Sequence, residues 1–311
     1  MTNKTPMEIR PIERSQLDAL YRVTASAYSE LHLSPERLEA NIFDDPEFDP
    51  SLTLGVFAND KILSVGIAVA RSSDLRGTAP LVGHLKIIRP NDTPGASETR
   101  FRELLNRLEL ELKNRGCTRV KTGGAAPVYL LPGVPSGDLA TRRCLENAGY
   151  SIAERRRSMT AELSQTQLNS AVEAAALARS GYEVLRGSAA DIDRVKEAVA
   201  TNFSPAWAYE LCCALERRFG ATAHLAFRGN ELTGFAAAGI WAATAFGPMG
   251  PLSGHKRRGI GALLLKRALL DLSSAGCARA VISWIGPEDF YRRHVGAVTN
   301  LEYLQLVKTL A

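Results

Sequence analysis

HKRRGIGALLLKRALL, running from His255 to Leu270, joins three cations to a Gly-Ile-Gly step and then to an apolar run with helical spacing. A helix start leaves about four backbone N–H groups unpaired and carries partial positive charge, so it favours an anion. Gly259 and Gly261 have no Cβ to keep a phosphate from those amides, and Lys256, Arg257 and Arg258 add charge beside them. The plainer alternative is a solvated basic loop feeding an ordinary helix. Elsewhere, chemistry-bearing residues are sparse. Tyr291 stands beside Phe290 and reads by itself as one of two core aromatics. Glu210, Glu288 and Asp289 are candidate bases, each more simply a solvated surface charge. His255 and His224 titrate near neutrality if exposed, but a lone histidine is more often structural. Arg155, Arg156 and Arg157 read as a charged strand edge that discourages pairing. The five cysteines form no C-x-x-C and no histidine sits at metal spacing, which points to buried thiols in a reducing compartment and to no metal site.

The elements that must position these residues repeat along the chain. LLNRLELELKNRGCTR (104–119) lies over LLKRALLDLSSAGCAR (264–279) at an offset of 160, with eight of sixteen positions identical. Each copy reads as an amphipathic helix ending at a glycine, Gly116 or Gly276, with a short strand after it. In the first half, periodicity predicts strand 7–12, helices 14–31 and 34–41, strands 52–59, 62–72 and 79–89, helix 99–115, strand 118–123, helix 137–148 and strand 151–163. The second half repeats the order: strand 182–186, helices 189–202 and 205–218, strands 221–228, 231–241 and 242–249, helix 259–275, strand 278–284, helix 287–294 and strand 301–308. A polar helix over 164–180 links them. At the repeat offset Gly259 falls on Thr99 and Gly261 on Phe101, so only the second copy keeps the glycines.

Those glycines carry a resemblance. K-R-R-G-I-G-A is similar to the Arg/Gln-x-x-Gly-x-Gly/Ala signature of the GNAT superfamily of N-acetyltransferases, with Lys256 where Arg or Gln is usual. AFGPMGPLSG (245–254) before it and SWIGPEDFYRRHVGAV (283–298) after it resemble the family's flanking elements. The first half, including YLLPGVPSGDLATRRCLENAGY (129–150), resembles a degenerate second copy. The implied fold is α/β (α+β): two tandem acyl-CoA N-acyltransferase domains, each a mixed, mostly antiparallel sheet flanked by helices. Residues 1–163 form the degenerate domain, 164–180 the linker and 181–311 the domain with the site. The resemblance implies acetyl-CoA as donor and a primary amine as acceptor. It seats the pyrophosphate on amides from about Arg257 through Arg258, Gly259, Ile260 and Gly261 to Ala262, and the pantetheine arm between splayed strands near Met249, Pro251, Leu252 and Trp284. The amide of Met249 would bond the acetyl carbonyl and Tyr291 would protonate the departing thiolate. Three features depart from the family pattern. Pro251 has no N–H to give the arm, 241–249 carries no acid or histidine to serve as base, and Trp284 stands where Asn is common. A protein that holds coenzyme A without turnover is therefore the competing reading.

Composition bounds the rest. A chain of 311 residues, 45% hydrophobic, suits two domains with packed cores. Net charge is +5, with 15 Lys/Arg against 11 Asp/Glu over 180–311 and 23 against 22 before that. A small phosphorylated ligand fits this surplus, whereas nucleic acid wants a dense basic stripe. No apolar run approaches the ~18 residues of a membrane span and the first residues lack a signal-peptide core, so the expectation is a cytoplasmic protein with no membrane partner. A tandem pair satisfies internally the interface that single-domain relatives form by dimerising, which favours a monomer. The acceptor is expected to be a small molecule.

Overall fold

The structure is a computed structural model that describes residues 6–72, 79–90 and 96–310. The chain divides into two compact units. The first begins with β1 (Met7–Pro11), α1 (Leu17–Thr24) and α2 (Pro35–Ile42). It continues through β2 (Thr53–Ala58), β3 (Lys61–Ser72), β4 (Leu81–Arg89), α3 (Ala96–Asn114), β5 (Arg119–Thr122), the short β6 (Val134–Pro135) and α4 (Leu139–Asn147). Then comes β7 (Ser151–Glu162), followed by α5 (Gln165–Leu168) and α6 (Ala171–Arg179). The second half of the sequence repeats the order as β8 (Tyr182–Arg186), α7 (Ile192–Asn202), α8 (Pro205–Leu215), β9 (Thr222–Arg228), β10 (Glu231–Ala238), β11 (Ala245–Pro251), α9 (Ile260–Ser274), β12 (Arg279–Ile282), α10 (Glu288–Val295) and β13 (Val298–Thr309).

Each unit is a mostly antiparallel sheet flanked by helices. In both, a parallel pair lies on either side of the long helix: β4 with β5 across α3, and β11 with β12 across α9. That connection suits a parallel pair, which needs a long crossover. The helices bury the repeated leucines. Leu104, Leu105, Leu108 and Leu112 of α3 share a core with Leu54, Val56 and Val120, while Leu263, Leu264, Leu265 and Leu269 of α9 pack with Ala236, Phe246 and Ile282. Both helices end on a left-handed glycine, Gly116 at φ +86° and Gly276 at φ +90°. Cys117 and Cys277 each donate their N–H back to a leucine carbonyl, at 3.0 Å.

The closing strands are exchanged between the halves. The end of β13, from the second half of the sequence, pairs antiparallel with β5 (Val307 opposite Lys121) in the first unit. The end of β7, from the first half, pairs antiparallel with β12 (Met159 opposite Ile282) in the second. Accordingly the first unit takes in the chain from Glu302 onward, and the second begins at Arg157. Sequence periodicity had kept each closing strand with its own half. Arg155, Arg156 and Arg157 are therefore not the guard of a free edge: they pair with Glu302, Glu154 and Glu288 respectively. The segment expected as one linking helix is two, broken after Leu168, and Leu177 of the second is buried in the second unit's core.

Candidate active site

The second unit parts its sheet where the signature lies. β11 and β12 pair only at Ala245 with Val281 and at Phe246 with Ile282. β12 stops there, while β11 runs on to Pro251, holding β10 on its other side through Met249–Ala236, Gly250–Phe235 and Pro251–Gly234. The edge of β11 from Gly247 onward thus faces a gap, with Trp284 just past the end of β12 at φ +51°. An extended ligand could use such an edge as a pseudo-strand.

A short loop leads from β11 to α9. Leu252 turns inward at 6% exposure and its N–H bonds the Thr233 carbonyl at 2.9 Å, so it anchors the loop and has no free donor. Lys256, Arg257 and Arg258 stand exposed around the turn, with Arg257 at φ +60°. Gly259 is the N-cap at φ +87°, a left-handed conformation that a residue with a Cβ adopts at a cost. The space where its Cβ would sit is open. The Ala262 N–H is taken by the Gly259 carbonyl at 3.1 Å, which leaves the amides of Ile260 and Gly261 as the first-turn donors. The Ile260 side chain itself is core, at 1% exposure. A Cβ on Gly261 would meet Phe290 Cζ at 3.4 Å and Met249 Sδ at 4.0 Å, both ordinary contacts. Packing within the protein therefore does not demand that glycine. The start of α9 fits a pyrophosphate: open amides, exposed cations and no Cβ in the way.

Tyr291, on α10, borders the same region. Its ring meets Phe246 of β11 edge-on at 6.3 Å and Phe290 at 5.1 Å. It is 9% exposed, and its hydroxyl has no hydrogen-bond partner among the described residues. Burial pushes the phenol above its ordinary pKa, so it is protonated at neutral pH.

Two of the three candidate bases fare differently from expectation. Glu210 is not a surface charge: it is 5% exposed and accepts from Trp241 Nε1 at 3.2 Å. Glu288 is bound by Arg157 at 2.6 Å and by the Thr299 hydroxyl at 3.0 Å, and exposed Asp289 pairs with Arg292. The histidines are structural: His224 bonds Asp271 at 2.8 Å, and His255 lies between the Tyr182 hydroxyl and Glu231, 3.2 Å from each. Among the described residues no cluster of His, Cys, Asp or Glu could hold a metal, and no helix is long and apolar enough to cross a membrane.

One feature went unnoticed in the sequence. Phe203 and Trp207 stack face to face at 4.9 Å beside Gly250, and their i, i+4 spacing was the available signal.

The first unit parts at the same place, with an ion pair beside the gap. β4 and β5 pair from Gly83–Val120 to Leu85–Thr122 and then diverge. Arg89 reaches Asp138 at 3.1 Å, where Asp138 also caps α4 by accepting from the Thr141 N–H. Deeper, Lys86 and Arg71 both bond the fully buried Asp45. Burial alone would raise Asp45, but the two cations hold it below its ordinary value; burial pushes Lys86 down to about 8. A cavity of about 30 Å³ remains, walled by Tyr28, Arg89 and Asp138 among others. Phe101, at the position matching Gly261, is 1% exposed in the core.

Each unit, a mostly antiparallel sheet parted beside the start of a long helix, has a fold like that of the GCN5-related N-acetyltransferases (GNAT). No family model and no curated protein matches the sequence. Solved structures do match in fold. The glucosamine N-acetyltransferase region of a fungal multi-domain GH3 beta-N-acetylglucosaminidase has TM-score 0.75 and 14% identity; the match covers 99% of this chain and 38% of that one. A tandem GNAT protein from the clavulanic acid biosynthesis pathway, solved without AcCoA, has TM-score 0.66 and 12% identity, covering 98% and 99%. The Saccharomyces cerevisiae N-myristoyltransferase with bound myristoyl-CoA has TM-score 0.63 and 10% identity, covering 99% and 81%.

Proposed function

We propose that this protein is an N-acetyltransferase that moves an acetyl group from acetyl-CoA to a primary amine of a small-molecule acceptor, by direct attack and without a covalent enzyme intermediate. The site is in the second unit, and the first is a non-catalytic partner that lacks the glycine step and carries the Arg89–Asp138 ion pair beside its gap. The observation that carries this reading is the gap between β11 and β12 opening onto the glycine-capped start of α9. The amides of Ile260 and Gly261, with Lys256, Arg257 and Arg258, hold the pyrophosphate. The exposed edge of β11 holds the pantetheine arm, short of one donor at Pro251. A missing hydrogen bond of this kind costs about 0.5–1.5 kcal/mol, which weakens binding without abolishing it.

The acceptor nitrogen attacks the thioester carbonyl carbon, and the Met249 N–H donates to the oxygen as it gains charge. The C–S bond then breaks, and Tyr291 gives its proton to the leaving thiolate. The Tyr291 phenol, held protonated by burial, has a proton to give as the thiolate forms beside it. The attacking nitrogen loses its proton to water, since no carboxylate or histidine lies on Ala245–Pro251. Pro251 and that missing base favour the second reading, a coenzyme A-binding protein without turnover. Free thiol released from acetyl-CoA by a panel of amines separates the two. Release that falls by about 10²–10⁴ in Tyr291→Phe, at unchanged acetyl-CoA affinity, supports catalysis by this residue. No release with any amine leaves only the binder.

A further inference from the structure

The acceptor face of β11 carries more information than the donor face. Residues alternate sides along a strand. Met249 turns toward Gly261 and α9, whereas the site of a Cβ on Gly250 lies 2.6 Å from Phe203 Cζ and 3.7 Å from Trp207 Cζ3. The Phe203 ring therefore rests on the backbone one residue beyond the amide assigned to the acetyl carbonyl. It is fixed there. The Trp207 ring stacks on it at an interplanar angle of 16°, and Phe235, the cross-strand partner of Gly250, meets both rings edge-on at 5.4 and 6.2 Å. Ser204 caps α8 by accepting from the Trp207 N–H at 3.2 Å, which sets where the helix presents its tryptophan.

Both Phe203 and Trp207 are only half-buried. The Trp207 indole N–H has no partner among the described residues. From Phe203 to Tyr209 there is no charged side chain. With the thioester arm along the edge of β11, this pair lies on the face of that strand opposite α9.

Resting on the acetyltransferase reading, we infer that the acceptor is an amine carried on a short arm by a flat aromatic ring, which lies against Phe203 and Trp207. These two are specificity-determining residues, and the nearest acid on α8, Glu210, is buried and engaged by Trp241 Nε1 at 3.2 Å. Aromatic pairing is directional and adds to simple burial, so a saturated ring of equal size should be the poorer acceptor.

The test is kcat/KM for 2-phenylethylamine against 2-cyclohexylethylamine, in wild type, Phe203→Leu and Trp207→Leu. Leucine keeps an apolar side chain and removes the flat ring. The wild type should prefer the aromatic amine by about tenfold, a difference of ~1.4 kcal/mol. Either variant should bring the ratio near one with the KM for acetyl-CoA unchanged. Turnover with no aromatic preference, or a preference that survives both substitutions, overturns the inference while leaving the acetyltransferase reading intact. If no amine is turned over, quenching of tryptophan fluorescence by 2-phenylethylamine decides. Quenching lost in Trp207→Leu supports the aromatic surface although acyl transfer has failed; no quenching refutes it.

Discussion

Removing residues 302–311 should unfold the first unit, although these residues end the second half of the sequence. In the first unit this segment buries Tyr303, Leu304 and Leu306, at 4%, 1% and 0% exposure. Each such side chain contributes about 1.5–3 kcal/mol, so the three amount to roughly 5–9 kcal/mol. Leu306 also donates its N–H to the Thr122 hydroxyl at 3.0 Å, and Lys308 neutralises the largely buried Glu109 at 2.6 Å. A domain is stable by only about 5–15 kcal/mol in total, so the loss is of the order of the whole. Amide hydrogen exchange read by mass spectrometry should show β2, β3 and β4 losing protection while β9 and β10 keep most of theirs. A synthetic peptide spanning 298–311, added back, should restore protection in the first unit. Loss of protection confined to 181–301, with the first unit intact, would mean each half keeps its own closing strand and would refute the exchange.

Three further outcomes follow from the same geometry. His84 is buried against the Gly123 carbonyl, and burial, aided by Lys121, pushes its pKa down to about 3. Its stability contribution is present above its unfolded pKa of about 6.5 and is lost as pH falls toward 3. Chemical denaturation of His84→Gln between pH 7 and pH 4 should therefore show a shallower loss than wild type, and an unchanged slope would remove His84 from the account. Gly259→Ala places a Cβ residue at φ +87°, and should lower stability by about 1 kcal/mol. A melting curve checks this, and an unshifted Tm would contradict the strained cap. Rates of Tyr291→Phe should fall at every pH from 6 to 9, because burial already keeps the wild-type hydroxyl protonated there; a defect confined to one end of that range would point to a different acid.

Much of the fold was legible because hydrophobic spacing encodes which face of an element is buried. The leucines of LLNRLELELKNRGCTR and LLKRALLDLSSAGCAR had to cover a sheet, and Gly116 and Gly276 had to end the helices. The same spacing does not encode which sheet a strand joins. SIAERRRSMTAE and VTNLEYLQLVKT close equivalent sheets, so either fits beside β5 or β12, and their exchange leaves no mark in the pattern. Glu210 was misread for a related reason: a lone acid on a helix looks solvated, and its partner Trp241 lies 31 positions away. The Gly-Ile-Gly step was legible because glycine is the residue whose absence of side chain is itself the signal. Nothing in the spacing said that Leu252 would turn inward, since its anchor is the Thr233 carbonyl across the sheet.

The most direct test of the central claim is calorimetric titration of acetyl-CoA into the wild-type protein and into Gly261→Glu. A glutamate there would sit at the two free amides of α9, and its charge would repel the pyrophosphate; its Cβ makes only ordinary contacts, so the fold should survive. One site per chain in the wild type, absent from the folded variant, is the predicted result. Binding that ignores the substitution, or no binding by the wild type, would make the glycine step an ordinary helix start and contradict the assignment of the site to the second unit.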